Sequence, residues 1–270
     1  MRLFVATIRK LVRRPATFIT FGLLVGLMAL IFVAVGATAR QQPSASAQEA
    51  ALLLVTFPGA YAFIISFILG LGGLFGVIYG AAIAGSEWTW GTLKAAVARG
   101  ESRSRYQLWS FGAIALMLGI GLLGAFLVGV LVAIVGASLA GVSTAGLGDS
   151  TSLGQLPELL ARGWLGIVEE GALGFAIATV ARSQLAGVGV GIAVYFAEQF
   201  VTFFLPDIVK FLPFNAASAV VAVSGSGFGD SGGTQFARLD PNAALIVVAL
   251  WLIGALVLTS LFTERAEISG

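Results

Sequence analysis

Three carboxylates stand inside stretches that are otherwise apolar enough to cross a bilayer. Glu169 and Glu170 follow Trp164 by five and six residues, and Glu198 precedes Leu205 by seven on a segment running the other way. An ionisable group in hydrocarbon is costly and faces a cavity, a partner or water, so the chemistry on offer is that of a proton site or of a polar path. At ~1.5 Å per residue the three would lie roughly 8 to 10 Å below one membrane surface and could gather at one depth. The spacing therefore predicts that Glu169, Glu170 and Glu198 line the outer part of a translocation path, with Gln199 nearby. A fourth span that begins later would instead leave Glu169 and Glu170 in headgroup water or paired with Arg162.

A second set of polar residues lies between two intensely apolar blocks. Ser86 to Tyr106 reads Ser-Glu-Trp-Thr-Trp-Gly-Thr-Leu-Lys-Ala-Ala-Val-Ala-Arg-Gly-Glu-Ser-Arg-Ser-Arg-Tyr. Ser86 or Thr89 can cap a short helix, with Glu87 at its positive end and Lys94 and Arg99 at its negative end. Trp88, Trp90 and Leu93 would then face the bilayer or a partner groove. The alternative is an interfacial loop whose tryptophans form a belt and whose arginines fix topology.

Much familiar chemistry is excluded by residue type. The chain has no cysteine and no histidine, which removes thiolate and imidazole metal ligands, disulfides and the usual base at neutral pH. No Ser-x-x-Lys replaces a Ser-His pair, and no Gly-x-x-x-x-Gly-Lys-Ser/Thr loop is present to cradle phosphates. Gly70-Leu-Gly-Gly and Gly187-Val-Gly-Val-Gly follow no strand; within spans, their role is close helix packing. The sequence offers no catalytic residue, no metal site and no cofactor-binding residue.

The elements that must hold these residues follow from composition. At 58% hydrophobic and 10% charged residues, with a mean hydropathy of +0.99, the chain is far from the soluble average of about 25% charged. It reads as one all-α polytopic membrane domain over residues 1–270. Residues 1–16 predict an amphipathic interfacial helix, with Phe4, Ile8, Leu11 and Val12 at helical spacing among five basic residues. Spans are predicted at 17–39, 51–84, 108–139, 164–181, 185–205 and 243–262. Residues 140–163 read as a Gly/Ser/Thr-rich loop. Between the fifth and sixth spans, the apolar 207–223 predicts short re-entrant or interfacial helices, and Ser224 to Gly233 a flexible tip.

Six spans return the chain to its starting side. With the N-terminus inside, Arg2, Arg9, Lys10, Arg13, Arg14, Lys94, Arg99, Arg103, Arg105, Arg182 and Arg265 are internal, against Arg40, Arg162, Lys210 and Arg238 outside. This asymmetry of 11 to 4 predicts that both termini and the 86–106 passage are cytoplasmic.

Glu87, the run Gly91-Thr92-Leu93-Lys94, and then Gly100, Ser102 and Arg103 stand at the spacing of a known pattern. The chain resembles the permease subunits of ABC transporters of the type 2, exporter-like class. In these an acidic residue precedes Gly-Thr-Leu-Lys/Arg, and a Ser-Arg pair follows, in the cytoplasmic loop between the second and third helices. The six-span layout, the basic N-terminal helix and the apolar segment between spans five and six also match. Gly100-Glu101-Ser102 departs from the proline or small residue that family members commonly place before the Ser-Arg pair.

The resemblance implies a coupling helix at which Glu87, Trp88, Trp90, Gly91, Thr92, Leu93, Lys94, Arg99 and Arg103 engage a separate ATPase subunit. It further implies two ATPase copies carrying ATP and Mg, a second permease copy or a sister permease, and membrane lipid around the whole; no nucleic acid partner is implied. The expected function is an ATP-driven exporter in the cytoplasmic membrane, and the chain itself is expected not to be an enzyme. The apolar spans are compatible with lipids, drugs or hydrophobic peptides as substrate. The residues also leave open a proton-coupled carrier using Glu198 with Glu169 or Glu170, or a non-transporting membrane scaffold.

Overall fold

The structure, a computed structural model, describes residues 2–221 and 238–265; the tip expected at Ser224 to Gly233 lies outside them. The helices are α1 (Arg2–Val12), α2 (Pro15–Thr38), α3 (Ala45–Val55), α4 (Gly59–Thr89), α5 (Thr92–Val97), α6 (Arg103–Ala140), α7 (Ser150–Ala181), α8 (Gln184–Val201), α9 (Pro206–Val209), α10 (Pro213–Ala219) and α11 (Pro241–Arg265). Six of them, α2, α4, α6, α7, α8 and α11, are long and apolar enough to cross a membrane. The chain is an all-α, multi-pass membrane protein.

Three segment boundaries differ from those the sequence suggests, two of them for a plain local reason. The apolar run 51–84 is not one span: α3 ends at Val55, and α4 begins at Gly59 and continues to Thr89. Pro58 disfavours helix at the residue before it and cannot donate its own amide, so the run breaks there. Residues 140–163 are not one loop either. Only 141–149 turn, and Asp149 then caps α7 by accepting from the Ser152 amide at 2.8 Å. Leu153, Leu156, Leu159 and Leu160 continue the helical period, and the last three pack against the core.

Trp164 consequently sits inside α7 rather than at its start. Its indole N–H donates to the Ala115 carbonyl of α6 at 2.9 Å. The fifth span also ends early, at Val201, with residues 202–204 in turns.

The centre of the bundle is the pair α4 and α7. Their backbones meet without intervening side chains: a Cβ at Gly80 would lie 2.1 Å from the Gly171 carbonyl oxygen, and one at Gly174 would lie 2.0 Å from that of Val77. Small residues at such crossings let dispersion contacts form between helices that gain nothing from burial in lipid. Around this pair α2 packs on α6 and α4, while α8 and α11 flank α7. The outer faces carry exposed apolar side chains such as Leu30, Leu127, Leu131, Phe196 and Leu250, as a surface in hydrocarbon requires.

The apolar stripe of α1 turns inward onto the bundle. Leu11 is buried, Phe4 and Ile8 pack with it, and the Phe4 ring meets Trp109 of α6 edge-on at 5.8 Å. Arg9 and Arg13 remain on the exposed side. An amphipathic helix has thus been docked along the flank of a span by the residues that give it its period.

Candidate functional site

The turn between α4 and α6 is built around one buried carboxylate. Helix α4 runs on to Thr89, and Gly91 then adopts φ +65°, a left-handed conformation that glycine takes without steric cost. Gly91, rather than Ser86 or Thr89, is therefore the residue that opens α5. Glu87 lies in the last turn of α4 and is 1% exposed. It is held there by cations and donors rather than by a helix dipole. Lys10 of α1 pairs with its Oε1, while Thr92 Oγ1 and Tyr106 Oη donate to Oε2, the latter at 2.6 Å.

Arg14, at the entry to α2, closes the same cluster. Its guanidinium donates to Ser86 Oγ at 2.8 Å, lies 4.0 Å from Glu87 Oε1 and stacks over the Trp90 ring at 4.9 Å. Burial pulls the Arg14 pKa below its ordinary value, and the Glu87 charge opposes that shift. Trp88 receives Arg182, from the turn between α7 and α8, at 5.4 Å over its ring. Both tryptophans thus meet guanidinium groups of neighbouring elements, a favourable cation–π arrangement.

The sequence-derived residues of this turn fall into two groups. Glu87 and Leu93 are buried and hold the turn together. Trp90, 64% exposed, faces outward together with Lys94 and Arg99. Arg103 donates to the Glu264 carbonyl at 3.1 Å, and neighbouring Ser104 donates to the Glu264 carboxylate at 2.6 Å. The start of α6 is thereby fastened to the end of α11. Lys10, Arg14, Tyr106 and Arg182 escape sequence reasoning because their partners are distant in the chain. The lone acid at the end of a span beside a basic helix is the signal that could have found Lys10 and Arg14.

The intramembrane carboxylates form the second group. All three are buried, Glu169 at 0% exposure, so neither glutamate of α7 lies in headgroup water or pairs with Arg162, which bonds Glu158 and Asn242 instead. Because α7 begins at Ser150, their depth differs from the one expected. Glu170 lies 11 residues from the Ala181 end of α7, and Glu198 lies 14 from the Gln184 start of α8. At ~1.5 Å per residue these are ~17 and ~21 Å along their helices from the same turn, and Glu198 stands three residues from the Val201 end of α8.

The three carboxylates have unequal surroundings. Glu198 accepts from the Phe214 amide at 3.4 Å, the Asn215 amide at 3.2 Å and Asn215 Nδ2 at 3.1 Å, which ties α10 to α8. Both oxygens of Glu169 and Oε2 of Glu170 find no hydrogen-bond partner among the described residues. The Glu170 carboxyl fits only because Gly73 of α4 has no side chain, since a Cβ there would come within 2.2 Å of Oε2. Glu170 thus faces α4, Glu198 faces α10, and Glu169 adjoins Glu170 on α7. Gln199 is exposed on the other face of α8 and does not join them.

Comparison of the chain with protein-family models and with curated proteins gives no match.

Proposed function

We propose that this chain is the membrane-spanning permease subunit of an ATP-driven ABC exporter, with the 86–106 turn as the place where a separate ATPase subunit docks. The observation that carries the reading is the form of that turn. A short helix stands between the second and third spans, and Glu87 clasps it to α1, α4 and α6. Trp90, Lys94 and Arg99 stand on its open side. A push on such a helix reaches three elements at once, which is what conversion of ATPase closure into movement of the spans requires. The charge asymmetry of the sequence supports a cytoplasmic position for this end. ATP and Mg would be held by the partner, and a second copy of the chain or a sister permease would complete the path.

The test is purification of the tagged chain from the cells that make it, with the eluate assayed for an ATPase subunit. The complex is expected to co-purify and hydrolyse ATP, and substitution of Lys94 and Arg99 by glutamate is expected to release the ATPase. Uphill transport by the chain alone on an ion gradient would sink the reading.

One observation favours a second reading, a proton-coupled carrier: Glu169 and Glu170 are buried with unpartnered oxygens, an arrangement suited to loading and releasing protons. Under that reading Glu198→Gln or Glu169→Gln abolishes gradient-driven uptake with no ATPase present.

A further inference from the structure

Between α8 and α11, over α7, lies a cavity of about 360 Å³. Leu173 and Ile177 of α7 form its floor, Val194 of α8 and Trp251 of α11 its sides, and Pro213 and Phe214 its roof. The roof is fixed twice, by the Glu198 carboxylate on the Phe214 and Asn215 amides and by the Trp251 indole donating to the Phe211 carbonyl at 2.9 Å. Val194 and Trp251 are partly exposed on the flank of the bundle, so the cavity opens sideways toward lipid. Its lining is apolar apart from one ionisable residue, Glu198.

Countercharge is missing at this place. The ion pairs among the described residues are Lys10–Glu87, Arg14–Glu87, Arg162–Glu158 and Lys210–Asp207. None reaches Glu198, nor the buried Glu169 and Glu170. No group of three acids among the described residues is arranged to hold a metal ion. A buried carboxylate without a basic partner is neutralised either by a proton or by a bound cation. An apolar wall beside it selects a cation whose charge sits on a hydrocarbon body.

The geometry points to this cavity as a binding site for amphipathic organic cations that enter from the bilayer, their apolar body between Val194 and Trp251 and their positive centre toward Glu198. Read with the proposed transport role, this names hydrophobic cations as the substrate class, but the binding requires neither ATP nor a partner.

Equilibrium dialysis of the purified chain in lipid nanodiscs with tetraphenylphosphonium tests it, with tetraphenylborate as the anion of like size. Saturable binding of the cation and none of the anion is expected. Glu198→Gln removes the nearest carboxylate, and Val194→Trp fills the cavity without removing one. Each is expected to weaken binding by about tenfold or more, the scale of one lost charge contact. Glu169→Gln leaves both Glu198 and the α10 anchor in place and is expected to leave binding unchanged, which separates the Glu198 carboxylate from a general effect of replacing a buried acid. Unchanged affinity in Val194→Trp or in Glu198→Gln, or equal retention of tetraphenylborate, overturns the inference. Co-purification of an ATPase is decided separately, so failure here leaves that reading standing.

Discussion

Lys10 of α1 and Glu87 of α4 are 77 residues apart in sequence and form an ion pair in which the carboxylate is buried and the ammonium half-covered. Thr92 and Tyr106 donate to the other carboxylate oxygen, so a single side chain joins the N-terminal helix, the second span, the short helix and the third span. Loss of one partner from a buried charged contact leaves the others unsatisfied, at a cost of about 1–3 kcal/mol. Glu87→Gln is expected to lower the melting temperature in detergent and to raise amide exchange across α1. In a double-mutant cycle with Lys10→Met the two losses should be less than additive. Strictly additive losses would show that the pair contributes nothing.

The open side of the same turn should behave differently. Lys94 and Arg99 lie on the exposed face of the 86–106 segment, and surface substitutions away from buried features usually change stability by less than about 0.5 kcal/mol. Lys94→Glu with Arg99→Glu is expected to leave thermal unfolding unchanged while abolishing ATPase retention on an affinity column. Glu87→Gln is expected to retain the ATPase weakly or not at all, with reduced stability. A charge-reversed turn that still binds the ATPase at full strength would contradict the docking face.

The existence of the six spans was legible because apolar runs of this length have few other uses, and the amphipathic period of α1 was plain in Phe4, Ile8 and Leu11. Less legible was where runs divide. Hydropathy carried 51–84 straight across Thr56–Pro58, although the proline is a local breaker, and Gly/Ser content hid the leucine spacing that starts α7 behind Asp149. That Glu169, Glu170 and Glu198 are buried could be argued from the apolar runs around them. The clasp at Glu87 could not, because Lys10 and Tyr106 reach it only through tertiary packing of α1 and α6. Nor does any pattern in the sequence reveal that Arg14 and Arg182 would cover the two tryptophans.

Asp149 supplies a pH dependence with a definite sign. Hydrogen bonds from the Ser152 side chain and backbone hold its carboxyl below the usual range. A depressed carboxyl contributes stability that is present above the unfolded value of about 3.9 and is lost as pH falls through the lower folded value. Acidification below about pH 4 is therefore expected to fray the first turn of α7, seen as faster amide exchange at Leu153. Asp149→Asn keeps an acceptor for the cap and should lose this dependence, whereas Asp149→Ala should show fast exchange at neutral pH as well. Identical exchange in the wild type and the alanine variant at neutral pH would remove the cap from the account of why α7 starts where it does.

The α4–α7 crossing should be the least tolerant place in the bundle, and its glycines allow the claim to be separated from a general aversion to substitution. A methyl at Gly80 or Gly174 meets carbonyl oxygens of the opposite helix at 2.1 and 2.0 Å, and backbone cannot rotate away as a flexible side chain can. The helices must part, and the contacts of Phe175 and Val77 with their neighbours go with them. Overpacking of this kind costs about 1–3 kcal/mol, with backbone displacement at the upper end or beyond. Gly254 of α11 and Gly22 of α2 have open space where a Cβ would go, and alanine there should be neutral or slightly stabilising through helix propensity, by up to about 1 kcal/mol. Thermal unfolding of the four single alanine variants in one detergent checks the contrast. If Gly80→Ala and Gly174→Ala melt with Gly22→Ala and Gly254→Ala, the two central helices are not in backbone contact, and the layer in which Glu170 faces Gly73 is loosely packed.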